Sequence, residues 1–267
     1  MARMENDLAA RLANRISASW ATLRRPLLVG LCGPQGSGKS TLAVQIGQAL
    51  KDLGLRSVVL SIDDVYLTRS ERERLSAQVH PLLAVRGPPG THQVALANEV
   101  LDALLQGASV RLPRFDKGRD DRSAEQLLVA GFTDVILFEG WCVGARAEPA
   151  DALVEPVNAL EREEDPRGIW RGYVNEALSG TYRTLFDRLD LYLLLQAPSF
   201  DVVVGWRQEQ EHGLRQRSGV GMSDPQVARF VQHYERLSRH IAREAPDRAD
   251  VVVWLDETRR PLQVEGA

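Results

Sequence analysis

Eight consecutive residues, Gly33-Pro34-Gln35-Gly36-Ser37-Gly38-Lys39-Ser40, carry the G-x-x-x-x-G-K-[ST] spacing of a phosphate-binding loop. The residue types explain the chemistry. Glycines let successive N–H groups converge on phosphate oxygens at a helix N-terminus. Lys39 supplies a point charge for the terminal phosphates, and Ser40 a hydroxyl for Mg²⁺. Gly33, Pro34, Gln35, Gly36, Ser37, Gly38, Lys39, Ser40 and Thr41 are therefore the candidate contacts for ATP. Three carboxylates complete the pattern. Asp63 and Asp64 follow an apolar run that ends at Ile62, and Glu139 closes the run of residues 134 to 139. Ligands of an open parallel sheet bind beyond the carboxyl ends of its strands, so all three acids can face the γ-phosphate. Ser40, Glu139 and Asp63 are the candidate metal residues, and Asp63 is also placed to take the proton of an acceptor hydroxyl.

Phosphoryl transfer further needs positive charge on the migrating group and exclusion of water. Arg207 and Arg215 are eight residues apart, close to two helical turns, and so share a helix face that can close over the nucleotide as a lid. Glu209 and Glu211 leave a solvated charged helix as the alternative. Arg86, His92, Arg114, Asp116, Lys117 and Arg122 fall in two polar loops, and this charge suits an anionic small molecule, most simply a carboxylate clamped by arginine. Lys117 and Arg119 read equally well as loop surface. His80, His212, His233 and His240 lack metal-ligand spacing and are expected at the surface.

Elements must hold these groups in place. Leu8, Leu12, Ile16 and Trp20 recur at four-residue spacing, which predicts an amphipathic helix over 5–23, ended by Pro26 and packed on the rest of the chain. The spacing then predicts a strand over 27–32, the loop, a helix over 41–50 with Gly54 as its cap, and a strand over 57–62. A polar helix over 70–84, a rigid loop over 86–92, a helix over 93–106, a short strand to Leu112 and an irregular loop over 113–122 come next. Strands over 134–140 and 191–195 flank a long polar helical stretch. Helices over about 200–215 and 224–244 lead to a last strand, Val251–Leu255. Strands with continuous apolar runs, separated by helices, imply a mostly parallel sheet covered on both faces, an α/β/α sandwich with a helical lid. The domain reading is an N-terminal helix over 1–25 packed on a single kinase-type domain over 26–267.

Composition agrees with an ordinary globular chain of 267 residues, 44% hydrophobic and 26% charged, at net charge −3. Nothing in that balance argues for a nucleic-acid or membrane surface, and no obligate protein partner is evident. The polar start has no apolar signal core, so the expected location is cytoplasmic. Cys32 and Cys142 lie in or beside core strands and are expected to be reduced and buried. The chain has no Asn-Lys-x-Asp segment of the kind that reads a guanine base.

The ordered set Gly33 to Thr41, Ser61-Ile62-Asp63-Asp64-Val65-Tyr66-Leu67-Thr68, Arg86-Gly87-Pro88-Pro89-Gly90-Thr91-His92, Pro113-Arg114-Phe115-Asp116-Lys117, Asp121-Arg122, Phe138-Glu139-Gly140-Trp141 and Gly221-Met222-Ser223-Asp224 resembles the plant- and fungal-type D-glycerate 3-kinases. The resemblance runs over about residues 27–256. That family is similar in turn to uridine kinase, phosphoribulokinase and bacterial pantothenate kinase. It implies a P-loop NTPase fold, ATP and Mg²⁺, a catalytic base at Asp63 and a metal residue at Glu139. Catalytic charge would come from Lys39 and Arg207, with Arg215 near the nucleotide. Acceptor contacts would come from Asp64, Tyr66, Arg86, Thr91, His92, Arg114, Asp116, Arg122 and Trp141. The implied reaction is D-glycerate to 3-phosphoglycerate. Gln93 stands where the family usually has Asp, and Val65 where it usually has Phe. A nucleoside or pantothenate-type acceptor, or a non-catalytic ATP-responsive regulator, remain the alternatives.

Overall fold

The structure, a computed structural model, describes residues 2–218 and 221–267, with side chains for 7–216 and 221–267. In chain order its elements are α1 (Ala2–Leu23), β1 (Leu27–Cys32), α2 (Lys39–Asp52), β2 (Ser57–Ser61), α3 (Arg69–Gln78), α4 (Val94–Leu105), β3 (Val110–Leu112), β4 (Phe115–Asp116), β5 (Asp121–Arg122), β6 (Leu127–Val129), β7 (Val135–Gly140), α5 (Ala159–Glu164), α6 (Ile169–Ser179), α7 (Thr181–Phe186), β8 (Leu191–Gln196), α8 (Phe200–Ser218), α9 (Asp224–Glu244), β9 (Val251–Leu255) and β10 (Pro261–Glu265).

Strand parity explains the layers. On β1, Leu27, Val29 and Leu31 face one helical layer while Leu28 and Cys32 face the other. The first layer is built from α1, α2 and the start of α8, through Leu12, Ile16, Ile46, Leu50, Val203 and Trp206. The second is built from α4, α6, α7 and α9, through Leu101, Leu104, Tyr182, Leu237 and Ile241. A sheet buried on both faces needs no polar alternation, and β1, β7 and β8 are buried along their whole length. The order is β10-β9-β8-β1-β7-β2, parallel except for β10. This is the expected α/β/α sandwich. No described helix is long and apolar enough to cross a membrane. Both cysteines are free and buried, and burial pushes the Cys32 thiol up to about 11.

Several elements differ from expectation. Val251–Leu255 is not the last strand: β10 adds an antiparallel edge. Its sequence, Pro-Leu-Gln-Val-Glu, has little apolar content because an edge strand needs only main-chain bonds on one side, and proline is tolerated at its first position. The helix expected over 70–84 stops at Gln78, and Pro81 starts a separate 3₁₀ turn. The loop over 113–122 is a small antiparallel hairpin, β4–β5. His233 is buried, with Nδ1 3.1 Å from the Phe230 carbonyl, and His80 and His240 are half-buried; His212 is exposed as expected. Gly54 is the left-handed residue just past α2 rather than the cap itself, and the Leu55 and Gly54 N–H groups close the helix on Leu50 and Lys51.

Candidate active site

The phosphate-binding loop runs from the end of the central strand to the first turn of α2. Gly36 and Gly38 both take positive φ, 79° and 86°. A Cβ on Gly36 would lie 2.6 Å from the Trp206 Cβ, so the loop packs directly against α8. On its outer side, Arg259 Nε donates to the Gly36 carbonyl at 2.7 Å. Ser37 Oγ and Gln35 Oε1 are buried without a hydrogen-bond partner, and Lys39 makes no ion pair among the described residues. Unpartnered buried polar atoms are rare in folded chains. Here the Ser37 hydroxyl, which can donate, and the Lys39 ammonium are both left available to an anion. Thr41 lies exposed on the first turn of α2.

Parity and register bring the metal candidates together. On β7, Glu139 shares the face of Val135 and Leu137, the face covered by α2, and it pairs in register with Leu31 and Ser61. Ser40 Oγ consequently donates to Glu139 Oε1 at 3.0 Å, while Glu139 Oε2 is buried and unpartnered. A hydroxyl beside a carboxylate with a spare oxygen fits Mg²⁺, which takes few protein ligands and keeps its waters. Asp63 does not join this pair, because both its oxygens are bonded elsewhere.

Asp63 lies just past β2, in a 3₁₀ turn capped by Ser61 Oγ. Tyr66 OH donates to its Oδ1 at 2.7 Å, and Lys117 Nζ lies 2.6 Å from Oδ2. Burial alone would push this carboxyl up. The Lys117 and Lys39 ammoniums, with the two hydrogen bonds, more than offset that and hold it well below the usual carboxylate range. Lys117, read as either part of the acceptor cluster or loop surface, thus reaches into the site. The signal for it is the Asp-Lys-Gly turn: Asp116 Oδ1 accepts from the Gly118 and Arg119 N–H groups and shapes the hairpin tip that carries Lys117 to Asp63. Asp116 therefore serves its own turn instead of reaching outward as expected.

Tyr66 is sandwiched between His92, stacked at 4.5 Å, and the edge of Phe115 at 5.1 Å. Main-chain bonds from Leu67 to Thr91 and from Gln93 to Val65 zip the two loops together. His92 Nδ1 meets Tyr182 OH at 2.6 Å, and its Nε2 is buried without a partner. Burial, only partly countered by the charge of Asp63, lowers the His92 pKa to about 4, so the ring is neutral at pH 7. Tyr182 is not among the expected site residues, since nothing local distinguishes it from a core aromatic.

The expected arginine clamp is largely spent inside the chain. Arg114 pairs with Asp64 at 2.6 Å, and the Phe115 N–H also bonds Asp64. Arg86 pairs with Asp120, and Arg122 bonds the Tyr66 carbonyl and Gln93 Oε1. Loops without regular structure must satisfy their polar groups through side chains, and these pairs do so. Thr91 and Trp141 act in the same way and do not face an acceptor as expected. Thr91 is fully buried and donates to the Pro88 carbonyl at 2.7 Å. Trp141 Nε1 donates to the Gly87 carbonyl at 3.0 Å. Gly87 has φ 123°, and a Cβ there would sit 1.9 Å from Tyr234 OH, so only glycine fits.

No family model matches the chain. The uncharacterized kinase mug58 of Schizosaccharomyces pombe is 38% identical over 224 residues, 79% of this chain and 79% of that protein. The chloroplastic D-glycerate 3-kinase of Arabidopsis thaliana is 30% identical over 257 residues, 89% of this chain but only 54% of that protein's length. The solved D-glycerate 3-kinase of Cryptococcus neoformans superposes with a TM-score of 0.82 at 29% identity, covering 97% of this chain and 98% of the other. The chain belongs to the kinase family of mug58, and it is similar to the D-glycerate 3-kinases. It is a kinase, a phosphotransferase with an alcohol group as acceptor. In this family member the two lid candidates lie on α8. Arg207 pairs with Glu211 and packs over Phe230 at 5.6 Å, one residue after the Trp206 that touches Gly36. Arg215 pairs with Asp224 at 2.9 Å, at the start of α9. Glu211 also accepts from the Met222 N–H, so the α8–α9 turn is tied to the same acid.

Neutral burial of His92 and of His233, whose pKa burial likewise lowers to about 4, sets an acid limit for this kinase. Both folded pKa values lie below the unfolded value of about 6.5. The stability they contribute is complete above pH 6.5 and is lost as pH falls toward 4. Each histidine should remove about 2 kcal/mol between pH 7 and pH 5. Urea midpoints measured across that range would show it, and His233→Gln should roughly halve this histidine contribution. A flat profile would mean that the buried rings are not kept neutral.

Proposed function

We propose that this chain transfers the γ-phosphoryl group of ATP to a hydroxyl of a small hydroxy acid, with D-glycerate giving 3-phosphoglycerate. The observation that carries the reading is the position of Asp63: an anionic carboxylate just past β2, next to the strand of Glu139 and within the electrostatic reach of Lys39. A carboxylate beside a phosphate loop is what an acceptor hydroxyl requires. The names of the Arabidopsis and Cryptococcus relatives support D-glycerate as that acceptor.

In this reading the loop amides and Lys39 hold the terminal phosphates, and Ser40 and Glu139 hold Mg²⁺. The bound ion supplies neutralising charge to the phosphate oxygens. Asp63 orients the acceptor hydroxyl and takes its proton as the new bond to phosphorus forms and the bond to the ADP oxygen breaks. Arg207, close to Gly36, leaves Glu211 to steady the migrating group, and Arg215 follows as the lid closes. Arg114, whose side chain is 40% exposed and uses one nitrogen on Asp64, offers its remaining donors to the acceptor carboxylate. Because the transition state is loose, positioning outweighs basicity.

ADP release across D-glycerate, L-glycerate, glycolate, pantothenate and uridine tests the acceptor. D-Glycerate should exceed uridine by at least about 10²-fold in kcat/KM, since sites that pair charge reject acceptors lacking it. A preference for uridine would overturn the assignment.

A further inference from the structure

The carboxylate proposed as the base is capped on both sides, with Tyr66 on Oδ1 at 2.7 Å and the Lys117 ammonium on Oδ2 at 2.6 Å. The cap on Oδ2 is of an unusual kind. Lys117 reaches Asp63 from the tip of the β4–β5 hairpin with its side chain 61% exposed. The neighbouring guanidiniums already hold other groups, Arg114 one oxygen of Asp64 with donors to spare, Arg86 Asp120, and Arg122 Tyr66 and Gln93. Among the described residues, Lys117 is the cation whose ammonium pairs with Asp63 itself, and it does so from an exposed stem. A lysine has a flexible stem and three rotatable donors, and can change partner in a way that a planar arginine fork cannot.

We propose that Lys117 makes the chain selective for anionic acceptors by handing its ammonium over. With no acceptor bound, Nζ holds Oδ2 of Asp63. An acceptor carboxylate entering beside the hairpin draws Nζ to itself, and Oδ2 becomes free to receive the proton of the acceptor hydroxyl. A neutral acceptor of the same shape gives Nζ no alternative, and Asp63 stays capped. The acceptor O–H bond breaks with its proton going to Oδ2. In the same step the acceptor oxygen bonds to the γ-phosphorus as the bond from phosphorus to the ADP oxygen breaks. Lys117 changes partner but not charge, which makes it a positioning residue. This inference rests on the proposed kinase reaction, with Asp63 as the base.

The test compares D-glycerate with glycerol, which carries CH₂OH in place of the carboxylate, for the native chain, Lys117→Met and Lys117→Arg. In Lys117→Met, kcat/KM for D-glycerate should fall about 10²-fold, mostly through KM, while that for glycerol rises about tenfold. Lys117→Arg should recover part of the D-glycerate activity without the gain on glycerol. A structural role would lower both acceptors together, and that parallel loss, or an unchanged ratio of the two, overturns the hand-over while leaving the kinase reading intact. A native chain that phosphorylates no carboxylate acceptor overturns both.

Discussion

Replacing Asp63 by Asn is expected to lower kcat by about 10²- to 10⁴-fold, with ADP affinity unchanged within about threefold. The substitution keeps the shape of the side chain, and its amide oxygen can still accept from Tyr66 OH, which lies 2.7 Å from Oδ1 in the native chain. What it removes is the anionic oxygen now facing Lys117 Nζ, and with it the group that can receive a proton. The native carboxyl is held low by the Lys117 and Lys39 charges, so it acts as an orienting acceptor in a loose transition state more than as a strong base. The lower end of the range would identify orientation as its main contribution, and the upper end proton transfer. Calorimetric ADP binding together with steady-state turnover separates a chemical defect from a folding one. Turnover within a factor of ten of the native chain would remove Asp63 from the mechanism.

Lys39→Met should be nearly as severe, lowering kcat/KM for ATP by about 10³-fold. Lys39 opens α2 and has no ion-pair partner among the described residues, yet its charge is felt at Asp63 and Cys32. An ammonium left unpaired inside a loop whose Ser37 hydroxyl is also unpartnered is arranged for an anion from outside the chain. Methionine retains the length of the stem and the packing of the loop, which Gly36 and Trp206 determine. The thermal midpoint of the apo chain should therefore stay within about 2 °C, or rise, because no native contact is lost. ATP-dependent stabilisation should shrink with the affinity. Full stabilisation by ATP in the variant would show that the nucleotide lies elsewhere. The two variants differ in a useful way, since Asp63→Asn should spare nucleotide binding and Lys39→Met should not.

The parts of this protein that the sequence by itself determined are those governed by short range. The spacing of Gly36, Gly38 and Lys39 dictates the phosphate loop, because positive φ and a helix N-terminus are local requirements. The parity of β7 places Glu139 on the face of α2, and apolar runs through 27–32, 135–140 and 191–196 announce a sheet buried on both sides. Strand β10 escaped because an edge strand bonded on one side needs no apolar signature. The pairing of charges escaped for a different reason. Arg86, Arg114, Arg122 and Lys117 are interchangeable as sequence symbols, as are Asp63, Asp64 and Asp120. Which cation meets which acid was decided by a hairpin of two-residue strands and an Asx turn, across separations of 34 to 54 residues. A salt bridge forms only where the fold brings its partners within about 4 Å and carries no local conformational preference, so only the packed tertiary arrangement could assign Lys117 to Asp63 and spend the arginines on the loops.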